Sequence, residues 1–336
     1  QWSFEHGEII SLLNLGKRIY CKRFLEYDRM ADEGLKIGML FLFQIVIGIL
    51  GNFSLLFGYI FLYFSGCRLS ATNVIIRHLS VANILAILSR GIPGTMAAFQ
   101  MEHLLDYIGC QLVSYVQRVG RGVSIGTTCL LSVFQAIIIS PGNSRWAELK
   151  RKARKYTGSS IVLCWILHIV INMIFPVYVS SKWSNKNTTW KNVLEYCPAI
   201  GNTVESSLNV TVLSFHDGLC LGLMVLASGA IVFILYRHKQ QVQYIHRNNL
   251  SPRSSHENRA TRSILAMVSS FVALYALSYI IYVYMALCEN PIMWLANTCA
   301  LINACFPTIS PFILMSQDSV ASRLCSVCYG RNAHFP

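Results

Sequence analysis

Tyr107 to Ile139 reads YIGCQLVSYVQRVGRGVSIGTTCLLSVFQAIII, and whether this stretch lies in lipid decides the fold. It is apolar apart from Arg118, Arg121 and scattered small polar residues, and about 20 predominantly apolar residues suffice for a helix to cross the hydrocarbon core. Outward from it lie six further candidate spans, at 37–64, 73–101, 157–179, 208–235, 263–287 and 292–315. Five of the seven are strongly apolar. The second carries Arg77, His78 and Arg90, and the third two arginines, so these two need independent support.

Loop charge supplies it. Cytoplasmic loops collect Lys and Arg. With seven spans, the segments 65–72, 140–156, 236–262 and 316–336 hold one, six, six and two basic residues, whereas 102–106, 180–207 and 288–291 hold none, three and none. The bias predicts an all-α membrane protein, a seven-helix bundle with its amino terminus outside the cell. A five-span alternative would keep most of the bias but leave two apolar runs in water. The 336-residue chain is 54% hydrophobic and 13% charged, with mean hydropathy +0.47, which nearly excludes a soluble enzyme. Its net charge of +13 is concentrated in short juxtamembrane loops, including Arg145, Lys150, Arg151, Lys152, Arg154 and Lys155. That placement favours orientation and anionic lipid over nucleic acid.

The chain divides into an outer tail at 1–35, a seven-helix domain at 36–316 and a cytoplasmic tail at 317–336. The first 35 residues hold five basic and six acidic residues and no apolar run resembling a signal peptide. Met30, just before the first span, offers a starting point that would leave 1–29 upstream. Six of the twelve cysteines fall within spans, where Cys acts as a small hydrophobe. Cys110, at the outer end of span three, and Cys197, in the second outer loop, both face the oxidising side, where a disulfide persists. Either they bridge and pin that loop over the bundle, or they are two free thiols. Asn187-Thr188-Thr189 is a glycosylation sequon in the same loop. Asn209-Val210-Thr211 lies close to the membrane, and Asn52-Phe53-Ser54 falls inside span one, where it should be silent. Cys325 and Cys328 lack a second Cys or His pair at zinc spacing.

Ionisable groups at membrane depth mark function by default, and here they are Arg90, Arg118, Arg121, His216 and Asp217. Arg118 and Arg121, three apart on a helix, share a face that must turn inward. Asp217 then either neutralises one arginine and fixes helix register, or stands beside a ligand cavity lined by the surplus arginines and His216. Tyr275, Tyr279 and Tyr282 form a stripe on span six that either lines the same cavity or packs against a neighbouring helix. Gly120, Gly122 and Gly126 on span three permit close backbone approach.

RVGRGVSIGTTCLLS (Arg118 to Ser132), NLSPRSSHENRATRSIL (Asn249 to Leu265) and CFPTISPFILMS (Cys305 to Ser316) closely resemble the vomeronasal type-1 receptors, a group of G-protein-coupled receptors. GCRL (Gly66 to Leu69), TMAAF (Thr95 to Phe99), SRWAELK (Ser144 to Lys150) and YRHKQQVQ (Tyr236 to Gln243) extend the resemblance from about Met30 to Ser316. It implies a plasma-membrane chemosensory receptor with a small, often volatile ligand, an inhibitory-class heterotrimeric G protein as transducer, and no catalytic chemistry or cofactor. Candidate ligand contacts are Arg118, Arg121, His216, Asp217, Tyr275 and Tyr279; candidate G-protein contacts are Arg151, Lys152, Arg259 and Arg262.

The sequence departs from ordinary rhodopsin-like receptors at the inner end of span three, where Val133-Phe134-Gln135 replaces Asp-Arg-Tyr. Asn83 replaces the usual acid of span two, and Pro307 and Pro311 replace Asn-Pro-x-x-Tyr. A seven-span transporter or channel is the rival reading, but no repeat relates the two halves. A degenerate, non-signalling receptor is the third.

Overall fold

The computed structural model describes residues 35–66, 70–99, 107–140, 144–183, 204–245, 254–287 and 293–315. They form seven helices and, among the described residues, no strand: α1 (Leu35–Phe64), α2 (Ala71–Ala98), α3 (Tyr107–Ile139), α4 (Ser144–Trp183), α5 (Val204–Ile245), α6 (Ser254–Leu287) and α7 (Met293–Met315). Six are long and apolar enough to cross a membrane, and α6 contributes a shorter apolar run, Leu265–Ile281. Cys197, Asn187, Cys325 and Cys328 lie outside the described residues, as do the side chains of Cys110, Asn209, Arg259, Arg262 and Tyr282.

The arginine-bearing stretch is the centre of the bundle. In its most apolar window α3 is 67% buried, against 17% for α4 and 22% for α5, so α3 is the post around which the others pack. This disposes of the five-span alternative. Its hydroxyl-rich run tolerates burial because Thr127, Thr128 and Ser132 each donate to the carbonyl four residues back, at 2.6, 2.7 and 2.9 Å.

Several helices outrun the apolar stretches. α4 begins at Ser144, not near 157, α5 runs on to Ile245, and α6 starts at Ser254, nine residues before the expected 263. Segments expected as loops, 144–156 and 236–245, are therefore helical. Hydropathy marks where hydrocarbon ends, whereas Ala, Glu, Lys and Arg remain good helix formers beyond it. The order Ser254-Ser255-His256-Glu257 also has the Ser-x-x-Glu pattern of a capping box. On the α4 extension Lys152 pairs with Glu148 one turn back at 2.7 Å, and Lys150 Nζ donates to the Ser140 carbonyl at the end of α3 at 2.6 Å. α1 is followed by Gly66, whose φ of +77° is the left-handed conformation that favours glycine after a helix. The Ser70 hydroxyl then accepts from Asn73 N at 3.4 Å, capping α2.

Three close approaches fix α3, the third at Gly126, where an added Cβ would stand 2.5 Å from Cys164 Sγ of α4. A Cβ on Gly120 would meet the α2 backbone at Ala86 N, 2.9 Å away, and one on Gly122 would collide with the His168 ring of α4. His168 is 1% exposed, so it has nowhere to retreat. Gly122→Ala is expected to destabilise the purified protein by about 1–3 kcal/mol through overpacking. Gly158→Ala, at an exposed α4 position with nothing within 4 Å of the added carbon, is the control; it should be neutral or stabilise by up to about 1 kcal/mol. Thermal unfolding of both in one lipid checks the contrast, and equal melting points would refute it.

Candidate functional site

Helix rise places the buried charges at one depth. α3 and α5 start at the same end of the bundle, and Arg121 and Asp217 each lie about 20 Å along their helices at 1.5 Å per residue. They meet: Arg121 Nη2 is 3.5 Å from Asp217 Oδ2. Tyr275 of α6, running the other way, donates its hydroxyl to the same oxygen at 3.3 Å. The Arg121 guanidinium also lies over the Tyr275 ring, 5.6 Å from its centroid, a cation–π contact. Three helices are thus joined through one carboxylate. His216 places Nδ1 3.6 Å from Asp217 Oδ1 and Nε2 3.7 Å from Cys220 Sγ, and its ring meets the His168 ring edge-on at 4.7 Å.

Beside this cluster is a cavity of about 50 Å³ between α2, α3, α6 and α7. Arg90, Gln117, Arg121, Ser124, Tyr275 and Asn303 supply its polar wall, and Phe271, Leu274, Ile302 and Phe306 the bulk of its apolar one. Arg121 both lines the cavity and pairs with Asp217, which does not line it. On α3 the positions 117, 121, 124 and 125 face the cavity, the spacing of one helical stripe.

Of the residues singled out in the sequence, Arg121, His216, Asp217 and Tyr275 come together. Arg118 is half-buried but does not line the cavity. Tyr279 departs from the expected stripe: it is 59% exposed on the outer surface of α6, where, among the described residues, no neighbouring helix covers that face. Arg151 and Lys152 are exposed on the first turns of α4. Sequence reasoning missed Gln117, Ser124, Asn303 and His168. A histidine midway along the fourth apolar stretch was a signal for the last; the neutral residues gave none.

Below the cavity a neutral polar network joins four helices. Ser124 donates to Asn83 Oδ1 at 2.7 Å, and Asn83 Nδ2 donates to Asn52 Oδ1 at 3.3 Å and Ser310 Oγ at 3.0 Å. Asn52 Nδ2 donates to the Gly48 carbonyl at 2.7 Å and the Pro307 carbonyl at 3.0 Å. The last bond has a covalent origin. Pro311 has no N–H, so the Pro307 carbonyl four residues back lacks its helical donor, and Asn52 supplies one. Asn52 is fully buried, which leaves no room for a glycan on its sequon.

The sequence model of the vomeronasal organ pheromone receptor family matches residues 35–327. Vomeronasal type-1 receptor 2 of Homo sapiens is 59% identical over 295 residues, covering 88% of this chain and 75% of that protein. Vomeronasal type-1 receptor 4 of Homo sapiens is 54% identical over 297 residues, covering 88% and 98%. Olfactory receptor class A-like protein 1 of Danio rerio is 28% identical over 283 residues, covering 84% and 89%.

Proposed function

The chain belongs to the vomeronasal type-1 receptor family, chemosensory receptors of the plasma membrane and not enzymes, and on that premise we propose that it binds a small ligand and signals through a heterotrimeric G protein. The observation that carries this reading is the position of Arg121. Its guanidinium borders the cavity and also holds Asp217, which in turn holds Tyr275. A ligand group that engages Arg121 competes with Asp217, loosens the joint between α3, α5 and α6, and shifts the population toward a second helix arrangement.

The opposite end of the bundle would present the transducer surface. Basic residues concentrate there, with Arg151 and Lys152 exposed on α4 and Arg259 and Arg262 on the first turns of α6. They suit an acidic G-protein face, with the amino terminus outside the cell. Cys110–Cys197 bridging and a glycan at Asn187 belong to the same reading.

The test is a panel of small volatiles on cells expressing the full chain, with an epitope at each terminus and nucleotide exchange on an inhibitory-class G protein as readout. Ligand-dependent exchange is expected. Solute flux without exchange would identify a transporter instead. Surface delivery with neither response would identify a degenerate receptor.

A further inference from the structure

We infer that the ligand is a small amphiphile bearing one negative charge, its acidic head seated between Arg90 and Arg121; this rests on reading the cavity as the ligand site. Two guanidinium groups line the cavity, and no lining residue is acidic. Asp217, the carboxylate within reach, pairs with Arg121 and accepts from Tyr275 without lining the cavity. Arg90 has no ion pair or hydrogen bond with another described residue, and it projects from α2, which carries no acid along its length. A cation at membrane depth without a counter-charge is costly, so an entering anion gains where a neutral molecule does not.

The remaining wall fits such a head. Gln117 and Asn303 each carry an amide donor that can turn to a carboxylate oxygen. Phe271, Leu274, Ile302 and Phe306 provide the surface for an apolar tail. Size assigns the order of events. About 50 Å³ accommodates a carboxylate head and not a whole ligand, since ligand pockets run to about 300–1,000 Å³. The head therefore docks on the arginines first, and seating the tail parts α6 and α7 from α3. Ester or alcohol analogues of the same chain lack the group that starts this sequence.

The experiment uses the full chain in lipid nanodiscs at pH 7, measuring thermal stabilisation against concentration for butanoate to decanoate, their methyl esters, and sodium chloride and sulfate. Nucleotide exchange is read in parallel. The best acid should half-saturate at a concentration about 10- to 100-fold below that of its ester, the advantage of charge-assisted over neutral hydrogen bonds. Arg90→Gln should weaken acid binding far more than ester binding and so shrink that preference, whereas Arg90→Lys, which keeps the charge, should retain more of it. Equal binding of acid and ester overturns the inference, as does stabilisation by chloride or sulfate equal to that by the acids, or no stabilisation by any acid. If Arg90→Gln does not fold, the acid–ester ratio in the parent decides alone. Acid binding without nucleotide exchange would uphold the anionic site and defeat the signalling reading. Exchange driven by neutral volatiles but not by acids would do the reverse.

Discussion

Asp217→Asn is expected to be among the most damaging single substitutions in the bundle, lowering stability by about 2–3 kcal/mol. Removing one partner of a buried ion pair costs about 3–5 kcal/mol because the other charge is left uncompensated. Arg121 is 36% exposed, toward a cavity that can admit water, which argues for the lower figure. The reciprocal change should cost less. In Arg121→Gln the carboxylate keeps the Tyr275 hydroxyl at 3.3 Å and the His216 ring at 3.6 Å, so the loss should be about 1–2 kcal/mol. The double variant should then be more stable than Asp217→Asn alone, since it removes the orphaned cation. Thermal unfolding of the four proteins in one lipid tests this. An Asp217→Asn protein no less stable than Arg121→Gln would show that the pair does not organise the three helices.

The same asymmetry bears on binding. Without Asp217, Arg121 is released to the cavity and an acidic ligand no longer competes with an internal carboxylate. An Asp217→Asn protein that survives folding should therefore bind hexanoate more tightly than the parent while being less stable without it. Most destabilising substitutions near a pocket weaken binding, so the opposite movement of the two quantities would be specific to this arrangement.

How far the sequence discloses this arrangement depends on which physical constraint writes it. Seven helices are legible because the bilayer dictates the length of each apolar run, and α3 occupies the predicted 107–139. The ends of α4, α5 and α6 are not, because helix formation continues in water where hydropathy falls silent. That Asp217 could meet one of the membrane arginines was legible because lipid cannot solvate either charge; that its partner is Arg121 was not. Tyr279 could not be placed, since it lies only about 40° round the helix from Tyr275 and packing alone decides which of the two is covered. Neutral side chains were hardest to read. Asn52 drew notice only as a sequon and Asn83 only as a missing acid, although both are central to the buried network.

That network gives the second large effect. Asn83→Leu preserves volume but removes the acceptor of Ser124 and the donor to Asn52 and Ser310, all of them buried. Each buried polar group left unpaired costs about 1–3 kcal/mol. The two serines can turn their hydroxyls to backbone carbonyls, as Thr128 and Ser132 already do, but Asn52 Oδ1 cannot. A net loss of about 2–4 kcal/mol follows, enough to deplete the receptor at the cell surface. Ser310→Ala, which removes a single partner, should cost about 1 kcal/mol and serves as the graded control. The functional consequence is separable from the structural one. Ser124 and Pro307 both line the cavity and both bond into this network, so a ligand that shifts α3 or α7 acts on the asparagines directly. Asn83→Leu molecules that do reach the surface should therefore bind ligand with little change yet give a reduced ratio of stimulated to basal nucleotide exchange. If that ratio matches the parent after correction for surface density, the network holds the helices together without carrying the signal between the two ends of the bundle.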